Sequence, residues 1–250
     1  MLQLNIYGFL LVFSRVGTAL LLIPGIASAQ FPARMRLGLA LAMTFILTPI
    51  LINQLPPMPA QIPTLFVLIA SEVMAGAILG TIPMILISVT EVAGSIISLS
   101  SGLASTLTYD PIIQQQTGIA SGFLSATAMV LIFITGVHHL FIQAIIDSYS
   151  LFIPGTAPDA GDTAQIIARN VADTFRVGVQ MSTPFLLVGF AYSLGLGILT
   201  RLAPQVPVFF VAMPLQLIVS LILFMLTVSG LLLAALGHVT EGIQPFLLVN

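Results

Sequence analysis

Between Thr64 and Ser100 the chain carries no charged residue except Glu72 and Glu91. As a helix rising ~1.5 Å per residue, that stretch is over about 50 Å long, well beyond a hydrocarbon core ~30 Å thick. It is therefore either one long tilted helix that leaves the bilayer or two helices meeting near Pro83, where the ring removes a backbone donor. The rest of the chain follows suit. Six arginines, no lysine and eight carboxylates serve 250 residues, giving 6% charged against 58% hydrophobic and a mean hydropathy of +1.15. A soluble domain has about 25% charged residues, so this chain lacks the charges to cover a water-facing surface. Its solvent is lipid or other apolar protein. Disorder is excluded, because disordered chains are poor in apolar residues and rich in charge.

Other apolar stretches flank this one. The first runs from about Leu4 to Ala29, broken by Arg15 and Pro24. Ala27-Ser28-Ala29 has the form of a signal-peptidase site, but no positive charge precedes Arg15, and Arg15 lies inside the apolar region; cleavage is not expected. Leu37–Asn53 is the second, followed by a stiff connector with Pro56, Pro57, Pro59 and Pro63. Phe123–Ile146, Val177–Thr200 and Val208–Gly237 follow Thr64–Ser100, for six stretches in all. Phe152–Arg176 holds Asp159, Asp162, Arg169, Asp173 and Arg176 and reads as an aqueous loop with a short helix. Arg201–Pro207 reads as a turn. The fold class expected is all-α, a multi-helix membrane-associated chain of long broken hairpins.

Charge distribution narrows the partners. The net charge of −2 provides no basic surface for nucleic acid and no Lys/Arg cluster of the kind that holds anionic lipid heads electrostatically. The arginines fall in three loops that six alternating spans cannot place on one side, so the positive-inside rule gives no orientation. Tryptophan, the usual interface marker, is absent. A subunit embedded in an assembly fits that pattern better than a free-standing bundle. Gly76-x-x-x-Gly80 and Gly118-x-x-x-Gly122 have the spacing that lets helices approach closely.

Ionisable groups inside apolar runs are candidates for function, since a charge at mid-bilayer costs ~2.5–3.5 kcal/mol on insertion scales. Asp147, Arg201 and Glu241 stand at span ends. Arg15, Glu72 and Glu91 lie within apolar runs and are expected to pair inside the chain or with another subunit, Arg15 and Glu72 being the deepest. His138-His139 are adjacent, point about 100° apart on a helix, and lack the i, i+4 spacing of helical zinc sites. No metal or cofactor is expected. Without lysine there is no phosphate-binding G-x-x-x-x-G-K-[ST] loop, and no serine sits in G-x-S-x-G; an enzyme is not expected.

One stretch remains, Ser98–Gly122, rich in Ser, Thr, Gly and Gln, with Asp110 its single charge. Pro111 pushes Asp110 out of the α region and ends any helix there. Non-helical backbone at membrane depth survives only where protein buries it or it lines a water-filled cavity. A re-entrant or pore-lining loop and an ordinary interfacial loop both satisfy that rule.

Several stretches taken in order resemble the FliR/SctT family of type III secretion export-gate subunits. These are Arg15-Val16…Pro24, Phe31-Pro32-Ala33-Arg34-Met35-Arg36-Leu37-Gly38-Leu39-Ala40 with Pro49, and Glu72…Gly76…Gly80. Gly94…Gly102…Tyr109-Asp110-Pro111 and Gly136-Val137-His138-His139 follow, then Arg201 to Phe209 (RLAPQVPVF) and Met213-Pro214-Leu215. The likeness covers nearly the whole chain, and the order and spacing of the motifs are more specific than any one of them.

The resemblance implies one subunit of a conical export channel in the bacterial inner membrane, at the flagellar basal body. Its partners would be several copies each of FliP and FliQ, with FlhB and FlhA, and its cargo unfolded export substrates. Residues 1–173 would be FliP-like, including a central loop at about 101–122, and residues 174–250 a FliQ-like hairpin. The family also implies a plug closing the resting channel, here Thr106, Leu107, Thr108, Tyr109, Asp110, Pro111, Ile112, Ile113, Gln114, Gln115 and Gln116. The glutamine run is no hallmark of the family. A virulence-associated injectisome subunit is the nearest alternative. A small secondary transporter, using Glu72, Glu91 and the span broken at Pro83, is more distant, since no second broken span mirrors the first.

Overall fold

The computed structural model describes residues 6–28, 31–102, 108–110, 115–202, 205 and 208–247; for 108–110, 115–117 and 208–211 the backbone alone is described. The fold is all-α. Eight helices are defined among these residues: α1 (Ile6–Leu22), α2 (Ala33–Leu51), α3 (Ile62–Ile87), α4 (Val89–Ser100), α5 (Ile119–Ile134), α6 (Val137–Leu151), α7 (Ala160–Leu202) and α8 (Val208–Ile243). A 3-10 turn, Gln244–Phe246, follows α8. The exception is a pair of three-residue strands, β1 (Thr108–Asp110) and β2 (Gln115–Thr117), that lie between α4 and α5 in sequence. Four segments are long and apolar enough to cross a membrane: α2, α3 with α4, α7, and Ala212–Phe246.

Three boundaries differ from the reading of the sequence. The long third stretch does break, but at Ser88 rather than Pro83, which sits inside α3. A proline deletes one donor, and an apolar helix packed in protein tolerates that. At Ser88 the ladder restarts: its carbonyl accepts from the amides of Glu91 and Val92, and the Thr90 hydroxyl donates to the Ile87 carbonyl at 3.0 Å. The stretch Phe123–Ile146 is two helices. They part at Thr135-Gly136, where Gly136 takes φ +79°, a left-handed conformation that costs glycine nothing.

The third difference is the largest. Phe152–Arg176 is mostly helix, because α7 starts at Ala160 and runs unbroken for 43 residues, about 65 Å. Asp159 caps it, its Oδ1 accepting from the Asp162 amide at 2.9 Å, and Asp162 places negative charge in the first turn, where the helix dipole favours it. The charges that read as a loop decorate the opening turns of a helix.

The chain divides into two compact units. The first comprises Met1–Leu86, Ile132–Val171 and Val239–Asn250; the second comprises Ile87–Leu131 and Ala172–His238. In the first, α1 packs against α2 and buries Leu11, Val12, Val16 and Ala19 completely. In the second, Val89, Ala93 and Ile97 of α4 meet Leu124 of α5, Met181 and Phe185 of α7, and Leu231 and Ala235 of α8. Phe224 stands edge-on to both Phe123 and Phe185, with centroids 5.7 and 6.2 Å apart, the favoured arrangement for aromatic pairs.

Candidate functional site

The first unit holds a buried ionic node. Glu72, Gly76 and Gly80 recur every four residues and so share one face of α3. A Cβ on Gly76 would run into the backbone carbonyl of Arg15, and one on Gly80 would meet Ala19 and Leu22 of α1. Two bare positions thus let α1 lie directly on α3, and Glu72, one turn before Gly76, faces Arg15.

Arg15 Nε donates to Glu72 Oε2 at 2.7 Å and Nη2 donates to Oε1 at 3.2 Å, the forked geometry that makes Arg–carboxylate pairs strong. Both residues are 0% exposed. Burying two charges is costly unless their remaining hydrogen-bonding capacity is used, and here it is. Arg15 Nη1 reaches the Ser148 carbonyl at 3.2 Å, and Nη2 reaches the Phe152 carbonyl at 3.1 Å. Glu72 Oε1 also accepts from the Gly155 amide at 2.8 Å. Gly155 has φ +83°, and a Cβ there would meet Leu68 and Pro56 at 2.9 Å, so only glycine suits that turn. The guanidinium lies over the Tyr149 ring, 4.2 Å from its centroid. The node thereby ties α1, α3, α6 and the turn after α6 together.

Glu91 is not part of this node. It sits on an exposed face of the first turn of α4, and its carboxylate has no partner among the described residues. The histidines turn back toward the junction of α5 and α6: His138 Nδ1 lies 3.3 Å from the Ile132 carbonyl of α5 and His139 Nδ1 3.1 Å from that of Gly136. Among the described residues no three His, Cys, Asp or Glu side chains gather as a metal-ligand set.

In the second unit the polar segment starts and ends at close crossings. A Cβ on Gly94 would strike the backbone of Ser121, one on Gly118 the Ser98 side chain, and one on Gly189 the Ser100 carbonyl. The Gln216 amide of α8 donates to the Ser100 carbonyl at 3.2 Å, satisfying an end-of-helix acceptor. Gly102, at φ +73°, turns the chain out of α4 beside that amide. Beyond it, Thr108, Tyr109 and Asp110 pair antiparallel with Thr117, Gln116 and Gln115. Asp110 has thus left the helix. Of the eleven residues expected to form a plug, Thr106, Leu107, Pro111, Ile112, Ile113 and Gln114 lie outside the described residues, and the other five are described by backbone alone.

Reading the sequence missed Ser148, Tyr149, Phe152 and Gly155. Three of the four contribute main-chain groups, which leave no side-chain signature; Pro154-Gly155 was the available turn signal.

The family described as Bacterial export proteins, family 1, matches residues 6–242. The chain is 34% identical over 242 residues to the flagellar biosynthetic protein FliR of Caulobacter vibrioides, covering 97% of this chain and 96% of that protein. It is 30% identical to the FliR of Bacillus subtilis, covering 88% and 86%. To the Yop proteins translocation protein T of Yersinia pestis it is 24% identical, covering 77% and 74%.

Proposed function

This chain belongs to family 1 of the bacterial export proteins, and from that premise we propose that it is a core channel subunit of the flagellar type III protein export gate. In this reading it assembles in the inner membrane, at the flagellar basal body, with several copies of FliP and of FliQ, beside FlhB and FlhA. It passes unfolded flagellar proteins and performs no catalysis itself. Residues 1–173 serve as the FliP-like part and 174–250 as the FliQ-like hairpin. The flagellar relatives stand at higher identity than the virulence one, which favours the flagellar branch.

The observation that carries the reading is the bare apolar surface of the two longest helices. Only 6% of the apolar window of α7 and 11% of that of α8 is buried, while Phe190, Leu202, Met225 and Leu226 are each more than three-fifths exposed. Patches of that extent mark surfaces made to be covered by protein or lipid. At about 65 Å, α7 is twice as long as lipid alone can cover.

Within the assembly, Thr106–Gln116 plugs the resting channel. A nearly uncharged polar segment fills a narrow lumen and withdraws without dragging large charges across it, and its close-packed ends at Gly94 and Gly118 support a fixed root for it. Coexpression with FliP and FliQ homologues tests the assembly: this chain copurifies with them in low stoichiometry. A stable lone monomer that binds a small solute would favour the transporter instead. Deleting Thr106–Gln116 raises ion leakage through the assembled gate; unchanged leakage rejects the plug.

A further inference from the structure

Between α1 and α2, inside the first unit, lies a cavity of about 180 Å³. Its walls are Phe13, Leu20 and Leu21 on one helix and Leu37 on the other, and the small Gly17, Ala33 and Ala40 leave the space open. Arg36 is its one ionised lining residue. The Arg36 Nε is sealed from solvent and has no hydrogen-bond partner among the described residues. That differs sharply from Arg15 on α1, whose guanidinium is fully engaged.

A buried donor without an acceptor carries the full cost of its desolvation, and every other wall of the cavity is hydrocarbon. The occupant that answers both conditions is an anionic head joined to an apolar tail. We propose that this cleft is a binding site for one anionic glycerophospholipid, an acyl chain lying along Phe13, Leu20 and Leu37 and the phosphate accepting from the half-buried Arg36 guanidinium. Charge complementarity selects the anionic class: Arg36 lies in the first turn of α2, which begins at Ala33, at the end of an apolar helix where lipid headgroups lie. A basic pocket between membrane helices is a recognised form of headgroup site. It needs one well-placed arginine and not the cluster whose absence the composition shows. The proposal rests on the chain's being in a membrane and not on the export reading.

Gly17 provides a clean way to block the cleft. A Cβ there meets only the Phe13 ring, at 3.7 Å, ordinary van der Waals contact, so Gly17→Leu starts from an unstrained Cβ and puts its bulk at the cavity wall. The test uses the full chain, delipidated in detergent, exposed to palmitoyl-oleoyl-phosphatidylglycerol or palmitoyl-oleoyl-phosphatidylcholine, and read by native mass spectrometry. The expected result is one retained phosphatidylglycerol per chain, with retention falling at least about fivefold in Arg36→Gln and in Gly17→Leu while Arg36→Lys keeps part of it. Millimolar inorganic phosphate leaves retention unchanged. Circular dichroism confirms that each variant keeps its helix content; should Gly17→Leu unfold, Gly17→Val and Arg36→Gln decide. Equal retention of both lipids, retention unaffected by Arg36→Gln, or displacement by phosphate alone would each overturn the proposal. So would a crosslink, in detergent-extracted membranes, placing another protein's side chain in the cleft.

Discussion

The two compact units solve the same packing problem with opposite chemistry. The first is organised around a fully buried arginine–carboxylate pair, backed by the carbonyls of Ser148 and Phe152 and the amide of Gly155. The second has an apolar core and relies on glycine and hydroxyl contacts to bring α4 against its neighbours. An ionic node is directional: it works in one geometry and is severely penalised in others. Packing of small residues is graded and tolerates slight displacement. The first unit is therefore expected to respond to substitution abruptly, the second by increments.

Glu72→Ala tests this most severely. It leaves Arg15 buried and uncompensated and should destabilise the chain by about 3–5 kcal/mol, read as a fall in the thermal midpoint followed by helical circular dichroism in detergent. The double replacement Arg15→Met with Glu72→Leu should recover most of that loss, since an apolar pair needs no partner. A double variant as unstable as the single one would mean that the node's worth lies in its ties to Ser148, Phe152 and Gly155.

Next comes Gly94→Val, which sets a side chain against the Ser121 backbone and should cost about 1–3 kcal/mol. A loss as large as that of Glu72→Ala would remove the distinction between the units. Thr90→Val deletes the 3.1 Å contact with the Ser125 hydroxyl and should cost about 0.5–1.5 kcal/mol, measured by the same midpoint. Smallest is Gly195→Ala on α7. Nothing lies within 4 Å of the new methyl, so helix propensity alone acts and the midpoint should rise by the equivalent of about 0.5–1 kcal/mol. A fall there would reveal that this face is already in close contact with another molecule.

The sequence exposed the components of the node before their arrangement. Arg15 and Glu72 stand out because charges are rare within apolar runs, and Gly76 and Gly80 because their spacing keeps them on one helical face. What could not be read was that Ser148 and Phe152, more than 130 residues from Arg15, would supply carbonyls, since main-chain acceptors are common to every residue. Helix ends were legible only where chemistry marks them. Asp159 is a sound N-cap, yet the charges following it suggested a loop, because solvated helical turns and loops share a composition. Pro83 was the visible breaker and Ser88 the actual one, because a missing donor is survivable where packing holds both flanks. Gly136 was hidden because an isolated glycine is tolerated within a helical run, and Phe123–Ile146 is apolar overall.

The Arg15–Glu72 pair has a consequence for a cell that energises its membrane. A lone charge moved across 100 mV gains or loses about 2.3 kcal/mol. Here the paired groups meet at 2.7 Å, which keeps the opposite charges within a small fraction of a ~30 Å dielectric layer. Even aligned with the full field, such a short dipole couples to 100 mV by only about a few tenths of a kcal/mol. The first unit can therefore hold its shape whether the membrane is polarised or collapsed, a form of voltage indifference that an unpaired buried arginine would forfeit.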